Sequence, residues 1–211
     1  MRPQDSEKVD LNAWDEISDG LISQLRERHV GSTAPKIDES FPDFTLPNSK
    51  GVYVELQELL GRGPVVLSFM RGRWCPYCEK ELLSWREAIP WLEAEGGHFV
   101  GVSAEVGGLA ENFRCDIAPE ADMLCDVDHG LAMALGLTFP VDEEFHRRYL
   151  EAGIDLAAIF GNAGRILPIA ATYVIDSDGI VRYAFDDPDF RVRADPAVAI
   201  AVVAALRRQS L

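Results

Sequence analysis

"GPVVLSFMRGRWCPYCEKEL", Gly63 to Leu82, decides the reading of the fold. Pro64–Met70 is a continuous apolar run rich in valine, as in a central strand buried on both faces. Cys75 and Cys78 follow, with Trp74 in front and Pro76 and Tyr77 between them. Glu79–Leu92 then reads as a helix offering Leu82, Leu83, Trp85 and Trp91 for packing, and Pro90 should kink or interrupt it. A Cys-x-x-Cys between a buried strand and a helix places its first sulfur at the helix N-terminus. Unpaired backbone N–H groups and the positive end of the macrodipole there favour thiolate over thiol. Arg71 and Arg73 add positive potential. Cys75 is therefore the expected nucleophile. Cys78, one turn inside, is expected to be more buried and to act second, attacking a sulfenic acid or mixed disulfide on Cys75.

The same spacing occurs in metal clamps, but zinc wants two such pairs or a pair with closely spaced histidines. Cys115 and Cys125 stand well apart, and His29, His98, His129 and His146 are scattered, so no metal is expected. The 211 residues carry 20 Lys and Arg against 35 Asp and Glu, a net charge of −15. That balance argues against nucleic acid and anionic membranes as partners. No stretch is long and apolar enough for a membrane span, and the opening "MRPQDSEKVD" lacks the apolar core of a secretory signal. A cytoplasmic protein is expected, where a close cysteine pair suggests redox chemistry rather than a structural disulfide framework.

Upstream of the decisive stretch, Leu11–Arg28 reads as an amphipathic helix through Leu11, Trp14, Ile17, Leu21, Ile22 and Leu25. Gly31–Glu39 resembles a linker, which divides the chain into an N-terminal helix and linker, 1–39, and a main domain, 40–211. "FPDFTLPNSKGVYVEL" gives two short strands about a turn at Asn48–Gly51, then a short helix at Leu56–Leu60. Downstream come a strand at His98–Ser103, a helix at Gly108–Arg114 just before Cys115, a strand at Met123–Cys125 and a helix at Leu131–Leu135. Glu143–Ala152 is a helix within an insertion. Its Asp142, Glu143, Glu144 and His146 read as a solvated face, and the insertion could cap an edge or join a subunit interface such as a homodimer. "ATYVI" and "IVRYAF" around "DSDG" form the clearest hairpin, and Asp195-Pro196 opens a last helix to about Arg208. Strands alternating with helices plus an antiparallel hairpin imply an α/β sandwich with a mixed central sheet flanked by helices.

From about Ser40 the sequence resembles the peroxiredoxin-like branch of the thioredoxin superfamily, the alkyl hydroperoxide reductase and thiol-specific antioxidant group, in its Cys-x-x-Cys members. The resemblance rests on "FPDFTLPNSKG", "VVLSFMRGRWCPYCEKEL", "VGVSAE", "ATYVIDSDGIVRYAF" and "DPDFRVR". It implies a thioredoxin-like fold with an N-terminal helical extension and Cys75 as the peroxidatic or thiol-attacking cysteine. It also implies an arginine beyond the hairpin, Arg193 or secondly Arg191, that stabilises the thiolate and polarises peroxide. Cys115 is an alternative resolving residue by analogy with atypical peroxiredoxins. Trp74, Pro76 and Tyr77 would form the lip of the substrate pocket. Two positions depart from the pattern. Gly72 stands where the family places a Thr or Ser hydroxyl, and Ala170 where thioredoxins place a cis-proline.

The resemblance implies a thiol-dependent peroxidase acting on hydrogen peroxide or organic hydroperoxides, with Cys78 resolving the Cys75 sulfenic acid. No bound cofactor is expected. Electrons would come from an external thiol such as thioredoxin, glutaredoxin or glutathione. A protein disulfide oxidoreductase and a non-enzymatic redox-sensing module are the other readings.

Overall fold

The computed structural model describes residues 11–209, with side chains from Ser18 onward. Trp14 and its apolar neighbours Leu11 and Ile17 therefore lie outside the described side chains, as the "MRPQDSEKVD" stretch lies outside the described residues. Helix α1, Leu11–Glu27, occupies the expected span. Leu21, Ile22 and Leu25 are buried in the same apolar cluster as the sheet. Residues 31–41, the stretch after it, run along the C-terminal hairpin: the Asp38 and Phe41 amides donate to the carbonyls of Val181 and Gly179 at 2.8 and 2.9 Å.

A two-stranded ribbon, β1 (Thr45–Pro47) and β2 (Tyr53–Glu55), precedes α2 (Leu56–Leu60). The central sheet follows. Strand β3 (Val65–Met70) is buried at every residue and leads into α3 (Pro76–Ala94). Then come β4 (His98–Ser103), α4 (Leu109–Ile117) and β5 (Asp122–Cys125). The insertion contributes α5 (Gly130–Ala134), β6 (Thr138–Pro140), α6 (Glu143–Glu151), α7 (Leu156–Phe160) and β7 (Ile166–Pro168). Hairpin strands β8 (Ala170–Ile175) and β9 (Val181–Asp187) and helix α8 (Pro196–Gln209) close the chain.

The five-stranded sheet has the order β5-β4-β3-β8-β9. Strands β3, β4 and β5 are parallel, while β8 and β9 run antiparallel. This is the mixed, thioredoxin-like α/β sandwich that the sequence implies. Side chains of β3 alternate between its two faces. Leu67 and Phe69 join the cluster that includes α1 and the insertion, while Val66 and Met70 join the one beneath α3 and α8. Ser68 shares the α3 side, and that placement matters below.

Three local expectations change. Helix α3 runs through Pro90 to Ala94. Pro90 and Arg86, whose carbonyl loses its i+4 donor, are both exposed, so water serves that carbonyl. Trp91 is 70% exposed rather than packed, whereas Trp85 is fully buried and stacks on Phe99 at 4.6 Å. Helix α4 continues past Cys115 to Ile117. The β6–β7 pair was not foreseen: three-residue strands ending in proline carry no alternation to read.

Candidate active site

The site lies at the carboxyl end of β3. Cys75 is the N-cap residue of α3, in extended conformation, with Pro76 at the first helical position. The amides of Cys78 and Glu79 donate to the Cys75 carbonyl at 3.0 and 3.1 Å. A proline there needs no N–H partner and has the φ a helix start requires. Both thiols are free. Cys75 is 1% exposed and Cys78 0%, so the expected difference in burial is absent: both lie in one apolar cluster against which Trp74 and Tyr77 pack.

The two sulfurs titrate in opposite directions. A hydrogen bond from the Cys78 thiol is the largest influence on Cys75; burial opposes it, and the charges of Arg71 and then Arg193 reinforce it, holding Cys75 at about 5. Burial above all, then the hydrogen bond to Cys75 and the charge there, pushes Cys78 well above the usual thiol range. A thiolate nucleophile beside a protonated partner is the result.

The arginines divide. Arg73 turns away to Asp116 on α4, so only its backbone faces inward. Arg191 pairs with Asp189 at 2.9 Å and with Asp19 of α1 at 2.7 Å, tying that helix to the loop after β9. Arg193 points at the cysteines. Its Nη2 lies 3.4 Å from the Cys78 sulfur and its Nε 2.7 Å from Glu81 Oε2. Arg71 is 2% exposed. Its guanidinium lies over the rings of Phe190 at 4.3 Å and Trp74 at 4.7 Å, and its Nη2 donates to the Tyr149 hydroxyl of α6. Its backbone N–H donates to the Cys78 sulfur at 3.3 Å.

Two buried carboxyls, neither picked out from sequence, complete the site. Glu81 sits one turn beyond Cys78. Ser68 donates to its Oε1 at 2.6 Å, and Ser68 also meets Thr172 of β8 at 3.0 Å. Burial pushes Glu81 up to about 7, with Arg193 the main opposing influence. Glu105, just past β4, accepts from the Arg73 amide at 3.0 Å and from Ser103 at 3.2 Å, and burial holds it too at about 7.

Glu105 also explains Gly72. That residue has φ +122, and a Cβ built on it would lie 2.6 Å from the Glu105 carboxyl carbon. A Thr or Ser at position 72 would be strained at that φ and would have to displace the Glu105 carboxyl. Ala170 opens β8 one residue beyond the Phe69–Ala171 pair, at the same end of the sheet as the cysteine loop. No peptide bond among the described residues is cis.

The lip residues are half-buried. Trp74 meets Tyr149 edge-on at 5.3 Å, and Tyr77 meets Phe190 at 5.9 Å. A cleft of ≈180 Å³ lined in part by Tyr77, Lys80, Ser84 and Arg191 opens onto Glu81 and Arg193. Cys115 lies apart on the exposed face of α4, with its thiol donating to Glu111 at 3.3 Å. Cys125 is half-buried at the end of β5. Among the described residues no group of three or more His, Cys, Asp or Glu is placed to hold a metal ion, and no helix is long and apolar enough to cross a membrane.

A mixed five-stranded sandwich with a Cys-x-x-Cys at its strand-to-helix turn defines a thioredoxin-fold protein of the peroxiredoxin-like type. Residues 37–184 match the AhpC/TSA family, and the chain belongs to it. It is similar to peroxiredoxin Q, chloroplastic, of Oryza sativa subsp. japonica, at 25% identity over 146 residues, 69% of this chain and 57% of that protein. The chain thus spans less than two thirds of the length of that relative. It is also similar to the thiol-disulfide oxidoreductase ResA of Geobacillus kaustophilus, at 28% identity over 71% of this chain and 69% of that one. The crystal structure of peroxidoxin BcpB from Mycobacterium tuberculosis superposes with a TM-score of 0.64 at 23% identity, covering 82% of this chain and 98% of that one.

Proposed function

We propose that the chain is a thiol-dependent peroxidase for hydrogen peroxide or organic hydroperoxides. The observation that carries this reading is the Cys75 sulfur: depressed to about 5 and hydrogen-bonded to a neighbouring thiol, it is ionised at neutral pH in a dry site. The Cys75 thiolate attacks one peroxide oxygen and the O–O bond breaks. The sulfur becomes a sulfenic acid, and the other oxygen leaves and takes a proton as water or alcohol. The Cys78 thiol then attacks the Cys75 sulfur, displacing hydroxide. Glu81 is the buried group placed to take the Cys78 proton, and water is the net product with the disulfide. Two external thiols, from a protein dithiol or glutathione, then reduce the disulfide and are themselves joined. Arg193 bridges Glu81 and the Cys78 sulfur.

The second reading is disulfide exchange, in which Cys75 attacks a disulfide. Two observations favour it: Gly72 has no hydroxyl to hold a peroxide oxygen, and the ResA relative is named a thiol-disulfide oxidoreductase. The test is one equivalent of hydrogen peroxide on the reduced protein, quenched within seconds, with thiol mapping by mass spectrometry. The peroxidase reading expects a Cys75–Cys78 disulfide. It also expects a trapped sulfenic acid on Cys75 in the Cys78→Ser variant, and no oxidation at Cys78 in Cys75→Ser. An unoxidised pair on that timescale, together with insulin reduction, moves the assignment to disulfide exchange.

A further inference from the structure

A buried cation needs a counter-charge, and Arg71 has no carboxylate among the described residues. Its side-chain contacts are two aromatic faces and the phenol of Tyr149, and its Nε is buried without a hydrogen-bond partner. Arg193 differs: the Glu81 carboxyl lies 2.7 Å from it. Anionic groups able to serve Arg71 are confined to the cysteine pair at the adjoining helix start. We propose that Arg71 is the principal counter-ion of the Cys75 thiolate, and that Tyr149, from the insertion, is the positioning residue that aims it, while Arg193 serves Cys78 and Glu81.

Geometry supports the division. Trp74 is the residue immediately before Cys75, and the Arg71 guanidinium stacks on it, which holds the cation beside the cysteine loop. Tyr149 meets both the guanidinium and the Trp74 ring, so α6 of the insertion closes the cage. A phenol fixes a guanidinium without cancelling its charge, as a carboxylate would. The electrostatic ranking agrees, with Arg71 ahead of Arg193 at Cys75 and the reverse at Cys78. The charged or titratable groups around Cys75 are Cys78 and Glu81 on α3, Arg193 from the loop before α8, Glu105 after β4, Tyr149 on α6, and Arg71 itself. Of these, Arg71 and Arg193 alone are cations.

This inference rests on Cys75 being the thiolate but not on the oxidant. The test is accordingly the pH dependence of Cys75 alkylation by iodoacetamide, resolved by mass spectrometry on the full reduced chain. Arg71→Met should raise the midpoint by about one unit or more, cutting the thiolate fraction at low pH roughly tenfold. Arg71→Lys should restore most of it. Tyr149→Phe should give a smaller rise, and Arg193→Met should move Cys75 less than Arg71→Met does. Circular dichroism checks folding; if Arg71→Met does not fold, Arg71→Gln and Tyr149→Phe decide. A Cys75 midpoint unmoved in the folded charge-removing Arg71 variant and in Tyr149→Phe, or moved more by Arg193→Met, overturns the proposal. Absence of peroxide turnover in wild type would sink the peroxidase reading and leave this result standing.

Discussion

Cys75 and Cys115 are both thiols near helix ends, and they are opposites. Cys75 is almost wholly buried yet held at about 5; Cys115 is exposed, and its thiol is pushed up, first of all by its hydrogen bond to Glu111. Cys75 has a protonated thiol and two guanidiniums for neighbours. Cys115 has Arg114 at 3.1 Å, but that arginine is already bonded to Glu111. Solvent contact alone does not make a cysteine reactive; unspent positive charge does.

The largest expected difference is in alkylation at pH 6. Cys75 should react about a hundredfold faster than Cys115 despite its burial, because the thiolate fractions differ by more than the loss of nucleophilicity offsets. Mass-resolved labelling of the native protein measures this. Comparable rates would break the comparison, and Glu111→Gln should narrow the gap by raising the Cys115 rate.

Next comes the proton linkage of the buried carboxyls. Glu81 has a folded-state value of about 7, above the ordinary carboxyl value of 4.5, so the folded state holds its proton more tightly. Its contribution is fully present below pH 4.5 and is lost as pH rises toward 7. The loss is on the order of 3 kcal/mol for such a shift. Glu105, also at about 7, acts in the same direction. Chemical denaturation between pH 4.5 and 7.5 should show stability falling less steeply in Glu81→Gln than in wild type. An identical slope would place the Glu81 value near that of a free carboxyl.

The smallest effect should come from Cys115→Ser. With Cys78 hydrogen-bonded to Cys75, removing Cys115 should change peroxide consumption by less than about twofold. A large loss would shift resolution to Cys115 and require α4 to open.

Much of this was legible in the chain. Six apolar residues about Ser68, ahead of a Cys-x-x-Cys, mark the central strand and the thiol turn, and "DSDG" between two alternating runs marks the hairpin. What was illegible depends on side chains meeting across long separations. Glu81 looks like one more helical carboxylate until Ser68 and Arg193 are brought to it from β3 and the loop before α8. Gly72 reads as a missing hydroxyl, and only its φ of +122 and the approach of Glu105 reveal that a side chain there is strained. Tyr149 had a faint signal: it follows Phe145 by four residues, and both are buried on α6, but nothing in that spacing announces Arg71 as its partner. Resemblance ranks Arg193 ahead of Arg191 and leaves Arg71 as added positive potential, whereas the structure tells Arg71 and Arg193 apart by their buried partners.

The charge arrangement around Cys75 also bears on redox poise. Closing the disulfide removes the thiolate and leaves the Arg71 guanidinium buried without an anion, so the surroundings favour the dithiol. Such a pair gives up its disulfide readily and has a more oxidising potential than a pair at an ordinary helix start. Equilibration with glutathione buffers should show this, and neutralising Arg71 should make the couple more reducing. The cage built by Trp74, Phe190 and Tyr149 would then set how easily the disulfide is returned to the dithiol, as well as how fast the sulfur attacks.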